Sequence, residues 1–246
     1  MKRLAGGISR NVSARDRGEL ALLAGALALV LVLFASFALA GAVVDGDTKQ
    51  FDERTLRALR RAGDPGTPIG PRWLHGAALD VTALGSAAVL GLAVAAVVGF
   101  LLLQRMGRTA AFVLAASAGG WLLNALLKTM FQRPRPDVVP HLREAMTLSF
   151  PSGHAMTSAA VYLTLGALLM RIAERPVTKF YCMAVAMLAT LLIGSTRVYL
   201  GVHYPTDVLA GWLIGLSWAL LCWIVERLVE RRTGLKREQQ AHTRAL

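Results

Sequence analysis

Charge-poor apolar runs constrain this chain more than any other feature. Leu20–Val44 carries no charged residue, and comparable stretches follow at about Leu79–Leu103, Thr109–Leu127, Ser152–Met170, 180–195 and Pro205–Val225. Each is roughly 17 to 25 residues long, enough to cross the ~30 Å hydrocarbon layer of a bilayer as a helix. Of 246 residues, 55% are hydrophobic and 17% charged, and the six runs use up most of the length. The expectation is an all-α integral membrane protein, a bundle of six transmembrane helices in one domain over residues 20–226. Residues 1–19 and 227–246 are expected to be polar cytoplasmic tails.

The first run has two readings. Ala38-Leu39-Ala40 resembles a signal cleavage site, but 25 apolar residues exceed a signal-peptide core. An uncleaved first span is the favoured reading. The net charge of +12 does not point to nucleic acid, because the cations lie in tails and short loops without interleaved aromatics. Cys182 and Cys222 sit inside apolar runs, so neither a disulfide framework nor a metal knuckle is supported.

Between the first two runs, residues 45–75 are polar. Phe51, Leu56 and Leu59 alternate with Asp52, Glu53, Arg54, Arg57, Arg60 and Arg61, which predicts a short interfacial helix with a solvated charged face. Glu53 stands four residues before Arg57, a stabilising order, and Gly63-Asp64-Pro65-Gly66 is expected to end the helix in a turn. Asp80, near the start of the second run, has two open readings: a functional partner, or a carboxylate in the headgroup zone.

Chemistry concentrates in three clusters. Lys128 is followed, seven residues on, by Arg135-Pro136; Pro151-Ser152-Gly153-His154 opens the fourth run; Thr196-Arg197 precede His203 and Asp207. Trp121, Asn124 and Lys128 share one helical face. Pro134, Pro136, Pro140 and Pro151 stiffen the loop that carries Arg133, Arg135 and Arg143. Ser152 is a plausible N-cap, and the free N–H groups behind it would add to an anion site. Pro205 suits the first turn of the sixth span, with His203 just before it and Asp207 within reach of the His203 ring. Fixed cations neutralise and position a phosphate, while two histidines add a nucleophile and a proton donor.

No crossing separates the first cluster from the second, and two separate the second from the third, so all three emerge on one membrane face. Lys and Arg are richer on the side holding both tails. The positive-inside rule therefore places the tails in the cytoplasm and the clusters outside it. The small, compact chain is expected in a bacterial inner membrane.

At these residues the chain resembles the type 2 phosphatidic acid phosphatase superfamily, whose pattern is Lys-x6-Arg-Pro, Pro-Ser-Gly-His and Ser-Arg-x5-His-x3-Asp. Thr196 departs from the usual Ser, and Arg133-Pro134 is a second Arg-Pro pair of which family spacing selects Arg135. The resemblance implies a lipid phosphatase in which His203 attacks phosphorus to give a phosphohistidine. Asp207 would orient His203, and His154 would protonate the leaving oxygen and then activate water. It implies that Lys128, Arg135, Arg197, Ser152 and the Gly153 N–H hold the phosphate, with Thr196 as an additional contact, and that no metal or cofactor is needed. Expected substrates are polyprenyl (undecaprenyl) diphosphate, phosphatidylglycerol phosphate or phosphatidic acid, with a slight preference for the first. Two alternatives stay open: a lipid phosphotransferase using the same phosphohistidine, and a catalytically silent binder of anionic lipid. Vanadium haloperoxidases are similar at the site, but they are soluble. Nothing marks His75, His141 or His242 as functional.

Overall fold

The computed structural model describes residues 14–144 and 147–244. Helix α1 (Ala14–Val44) leads through a turn to α2 (Lys49–Ala58) and a two-stranded antiparallel hairpin of β1 (Arg60–Arg61) and β2 (Asp64–Pro68). Then come α3 (Arg72–Ala83), α4 (Ala87–Leu103), α5 (Gly107–Phe131), α6 (Gly153–Ile172), α7 (Pro176–Tyr199) and α8 (Pro205–Arg244). Five helices are long and apolar enough to cross a membrane, and α3 with α4 supplies a sixth crossing as one bent span. Large side chains such as Leu23, Leu27, Phe34 and Phe37 of α1 are exposed, and a bilayer is the solvent that suits such a surface. The chain is a multi-pass membrane protein.

The bundle is arranged around α6. Half of its apolar window is buried, against 6% for α1, because α6 packs on α5, α7 and α8 while α1 lies mainly along α8. Apolar side chains gain little by leaving lipid for another helix, so close van der Waals approach must hold such a core. The sequence supplies it with small residues: Ala155, Ala159, Ala160 and Gly166 of α6 are buried. Across from them, a Cβ at Gly215 would lie 2.5 Å from the Met156 carbonyl oxygen, and one at Gly211 would lie 2.8 Å from that of Ser152. The Ser152 N–H also donates to the Asp207 carbonyl over 2.9 Å, joining the first turns of α6 and α8. Leu90, Val94, Leu101, Ala110, Val113 and Val161 fill the space between α4, α5 and α6.

Five expectations change. The second span is not one helix from about Leu79: it starts at Arg72 and bends by 48° between α3 and α4. Gly85 at the break allows close approach, since a Cβ there would lie 2.4 Å from Ile193 Cγ2 and 3.2 Å from His154 Cδ2. The freed Leu84 carbonyl accepts the Tyr162 hydroxyl at 3.0 Å, and Ser86 caps α4 by accepting the Val89 N–H. The 45–75 segment contains a hairpin as well as a helix, with Gly63 at positive φ in its turn. Its charged face is only partly solvated: Glu53 does lie 3.8 Å from Arg57, but Asp52 and Arg60 are buried. Finally, α7 continues to Tyr199, which puts Arg197 on the helix, and α8 continues helically through Arg244 beyond the expected end of the span.

Gly215→Val should destabilise the bundle by about 1–3 kcal/mol, the range for overpacking a fitted contact. Thermal unfolding in detergent measures this, and wild-type stability would show that the α6–α8 contact yields.

Candidate active site

One end of the bundle gathers the C-terminal turns of α5 and α7, the N-terminal turns of α6 and α8, the loop segments 132–144 and 147–152, and α2. Lys128 lies in the last turn of α5 and Arg197 in the last turn of α7. Gly153 opens α6, and a Cβ on it would stand 3.2 Å from Asn124 Nδ2 and 3.6 Å from Lys128 Cε. The absent side chain thus lets the α6 N-terminus approach the lysine-bearing face of α5, and the first N–H groups of a helix are without intrahelical acceptors.

His203 is 1% exposed and precedes α8. Its Nε2 lies 3.2 Å from Arg135 Nη1, and its Nδ1 lies 3.5 Å from Asp207 Oδ2 and 3.4 Å from Ser149 Oγ. A guanidinium only donates, so Nε2 accepts; the ring proton then sits on Nδ1, facing Asp207. Asp207, fully buried, accepts from the Ser149 hydroxyl and from the Tyr204 N–H at 2.9 Å through Oδ2, and from Arg133 Nη1 at 2.6 Å through Oδ1. Arg135 is held by the Val202 carbonyl at 2.6 Å and the Thr147 hydroxyl at 3.0 Å. Lys128 donates to the Leu148 carbonyl. Arg197, 3% exposed, donates to Thr82 Oγ1 at 3.0 Å.

The unpaired atoms are as informative as the paired ones. Ser152 Oγ, His154 Nε2 and Arg197 Nε are buried without a hydrogen-bond partner among the described residues. Ser152 occupies the N-cap position of α6, but its side chain makes no capping bond, contrary to expectation. Lys128, Arg135 and Arg197 act on one another electrostatically, and Arg143 also acts on Arg197 and His154. Buried polar groups normally find partners. A cationic pocket with unused hydroxyl, imidazole and guanidinium atoms suits a bound anion.

Burial, with the fields of Arg135 and Arg197, presses the His203 pKa down to about 4 against the upward pull of Asp207. The imidazole is therefore neutral near pH 7, as a nucleophile requires. Burial also lowers the Arg135 pKa, whereas at Arg133 the same burial is outweighed by Asp207 and Asp52 and the pKa rises.

The structure thus brings together Lys128, Arg135, Ser152, Gly153, His154, Arg197, His203 and Asp207. Thr196 differs, because its hydroxyl donates 2.6 Å back to the Ile193 carbonyl. Asp80 is exposed and has no ion-pair partner among the described residues. His141 Nε2 bonds the Pro136 carbonyl at 2.6 Å, a structural contact within the loop. Sequence reasoning missed Ser149, Thr82, Thr206 and Asp52. Of these, Asp52 had a readable signal: it stands four residues before Leu56, and both are the buried positions of α2.

A helical membrane bundle with a buried histidine–aspartate pair facing a cluster of cations defines a class of phosphate-handling membrane proteins, and comparison with known proteins agrees. The sequence profile of the PAP2 superfamily matches residues 107–230, and the chain belongs to that superfamily. It is 33% identical over 162 residues to phosphatidylglycerophosphatase B of Bacillus subtilis, covering 65% of this chain and 77% of that one. It is 38% identical to an undecaprenyl-diphosphatase of Sulfolobus acidocaldarius over only 72 residues, 28% of this chain and 29% of that one. The crystal structure of a transmembrane PAP2-type phosphatidylglycerolphosphate phosphatase from Bacillus subtilis superposes with a TM-score of 0.73 at 28% identity, covering 82% of this chain and 96% of that one.

His203 should titrate near pH 4 in nitrogen NMR of histidine-labelled protein, with His203→Gln for assignment. Its folded pKa lies below the ordinary value of 6.5, so the unfolded chain binds the extra proton first. The stability that neutral His203 provides is thus present above 6.5 and is lost as the pH falls toward 4. A titration at 6.5 would contradict the burial argument.

Proposed function

We propose that this protein is a lipid phosphatase that removes a phosphate from a membrane lipid through a phosphohistidine on His203. The observation that carries the reading is the setting of His203: Nε2 lies 3.2 Å from Arg135 Nη1 and Nδ1 faces Asp207, a geometry that assigns the ring proton to Nδ1 and leaves Nε2 free to attack. In this reading Nε2 forms a bond to phosphorus as the ester oxygen departs, and His154 gives that oxygen a proton. Water, with His154 now acting as base, then breaks the N–P bond and releases phosphate. The scheme needs a proton on His154 beside a neutral His203, and the negative charge of a bound substrate acts in that direction. Lys128, Arg135, Arg197 and the α6 N–H groups spread the charge of the equatorial oxygens. Ser152 Oγ offers a further hydrogen bond. No metal takes part in this scheme.

The site lies at helix ends, where a lipid can keep its tail in the bilayer while its headgroup reaches the cations. Among substrates we favour phosphatidylglycerol phosphate over polyprenyl diphosphate, reversing the order expected from sequence. The support is the extent of similarity to phosphatidylglycerophosphatase B, against a short match to an undecaprenyl-diphosphatase. We place the site on the extracytoplasmic face of a bacterial inner membrane with both termini in the cytoplasm, following the distribution of Lys and Arg.

The test is phosphate release by purified protein in detergent and chelator from phosphatidylglycerol phosphate, polyprenyl diphosphate and phosphatidic acid. His203→Ala should abolish release, and His154→Ala should lower kcat by about 10²- to 10⁴-fold, the usual contribution of a general acid–base. Release that survives in His203→Ala would overturn the phosphohistidine. Transfer of the phosphate to an added lipid acceptor in preference to water would make the protein a phosphotransferase. A cysteine placed at Asp137 should react with a membrane-impermeant reagent added to intact cells; protection until lysis would reverse the orientation.

A further inference from the structure

The charged residue most out of place is Asp52. It belongs to α2, a short and mostly exposed helix outside the segment 107–230 that matches the superfamily profile, yet its side chain is fully buried. A buried carboxylate is costly unless it is paired and hydrogen-bonded. The pairing of Asp52 is almost entirely with the catalytic end of the bundle. Oδ2 accepts from Arg133 Nη2 at 2.8 Å, from the Thr206 hydroxyl at 2.6 Å and from Thr48 of its own segment at 3.3 Å; Oδ1 accepts the Thr206 N–H at 3.1 Å. Thr206 is the neighbour of Asp207 in the first turn of α8. Its N–H is one of the donors that a helix start leaves free, and a carboxylate there also meets the favourable end of the helix dipole.

Arg133 is the second link. Its Nη1 serves Asp207 Oδ1 at 2.6 Å and Thr206 Oγ1 at 3.0 Å, while its Nη2 serves Asp52. The guanidinium lies 4.3 Å from the Tyr204 ring centroid, which fixes its plane. A planar fork held at both ends has little rotational freedom left. The carboxylate of Asp207 is therefore fixed from two sides: Ser149 and the Tyr204 N–H hold one oxygen, and Arg133, anchored by Asp52, holds the other.

Building on the phosphohistidine reading, we propose that Asp52 is a positioning residue for phosphoryl transfer: through Arg133 and Thr206 it sets the orientation of Asp207, and so the angle at which His203 meets phosphorus. It touches neither substrate nor reacting atoms. Its loss should affect the rate of the chemical step and leave substrate affinity alone.

The experiment compares Asp52→Asn, Asp207→Asn, the double variant and Asp52→Glu in the purified full-length protein, with phosphatidylglycerol phosphate in mixed micelles as substrate. Asp52→Asn should lower kcat by about 10- to 100-fold, the scale of a small misplacement of a reacting group, with KM changed less than about twofold. The double variant should be no slower than Asp207→Asn, because both substitutions break one chain of contacts. Asp52→Glu, which keeps the charge, should recover part of the loss. Nitrogen NMR of labelled histidine reads the positioning without turnover: the His203 Nδ1 signal should change in Asp52→Asn as it does in Asp207→Asn. If Asp52→Asn does not fold, Arg133→Lys, which cannot bridge both carboxylates, should show the same kcat loss. Unchanged kcat in folded Asp52→Asn, losses that multiply with Asp207→Asn, or an unmoved His203 signal would each overturn the proposal. Phosphate release that survives in His203→Ala would instead count against the phosphohistidine, and the NMR comparison would still decide the positioning role.

Discussion

Two fully buried carboxylates, Asp52 and Asp207, share one arginine, and the catalytic end of the molecule depends on that arrangement. Neither carboxylate could be removed from water alone, and neither could share so small a space with the other without Arg133 between them. Thr206, Ser149 and the Tyr204 N–H satisfy most of the remaining acceptor positions. The network is anionic on one side of His203. On the other side Arg135 lies 3.2 Å from Nε2, and Lys128 and Arg197 are within electrostatic reach of Arg135.

The same division separates structural charges from functional ones. Arg133 has two carboxylate partners and a ring beneath it, and its charge is spent inside the protein. Arg135, Arg197 and Lys128 bond only to carbonyl oxygens, hydroxyls and the His203 ring among the described residues, and none of them is ion-paired with a carboxylate there. The two Arg-Pro pairs in one loop thus have opposite duties despite identical local sequence.

Much of this was legible in the sequence. Charge-free length gave the spans, and the spacing of Lys128, Arg135, His154, Arg197, His203 and Asp207 gave residues that the fold does bring to one end. What stayed hidden was whatever depends on partners distant along the chain. Asp52 looked like part of a solvated helical face: its spacing from Leu56 hints at burial, but nothing near it in sequence names Arg133 and Thr206 as the groups that cover it. The break between α3 and α4 was hidden for a similar reason. Gly85 is one small residue in an apolar run, and only the approach of Ile193 and His154 explains why the helix yields there. Thr196 was read as a hydroxyl near the pocket, but a β-branched hydroxyl on a helix has a ready acceptor in the preceding turn, and it uses it.

The location of α2 bears on how the protein comes to be made. Asp52 follows the first span and is synthesised early, whereas Thr206 and Asp207 open the last span and arrive at the end. Until both have been inserted, Asp207 lacks the anchored Arg133 that fixes one of its oxygens. Closure of the bundle between its first and last helices, seen also in the packing of α1 along α8, therefore coincides with completion of the site. A nascent chain stalled before its final span would carry the arginine-rich loop without Asp207 and Thr206, so two of the partners of Arg133 arrive only with the last helix.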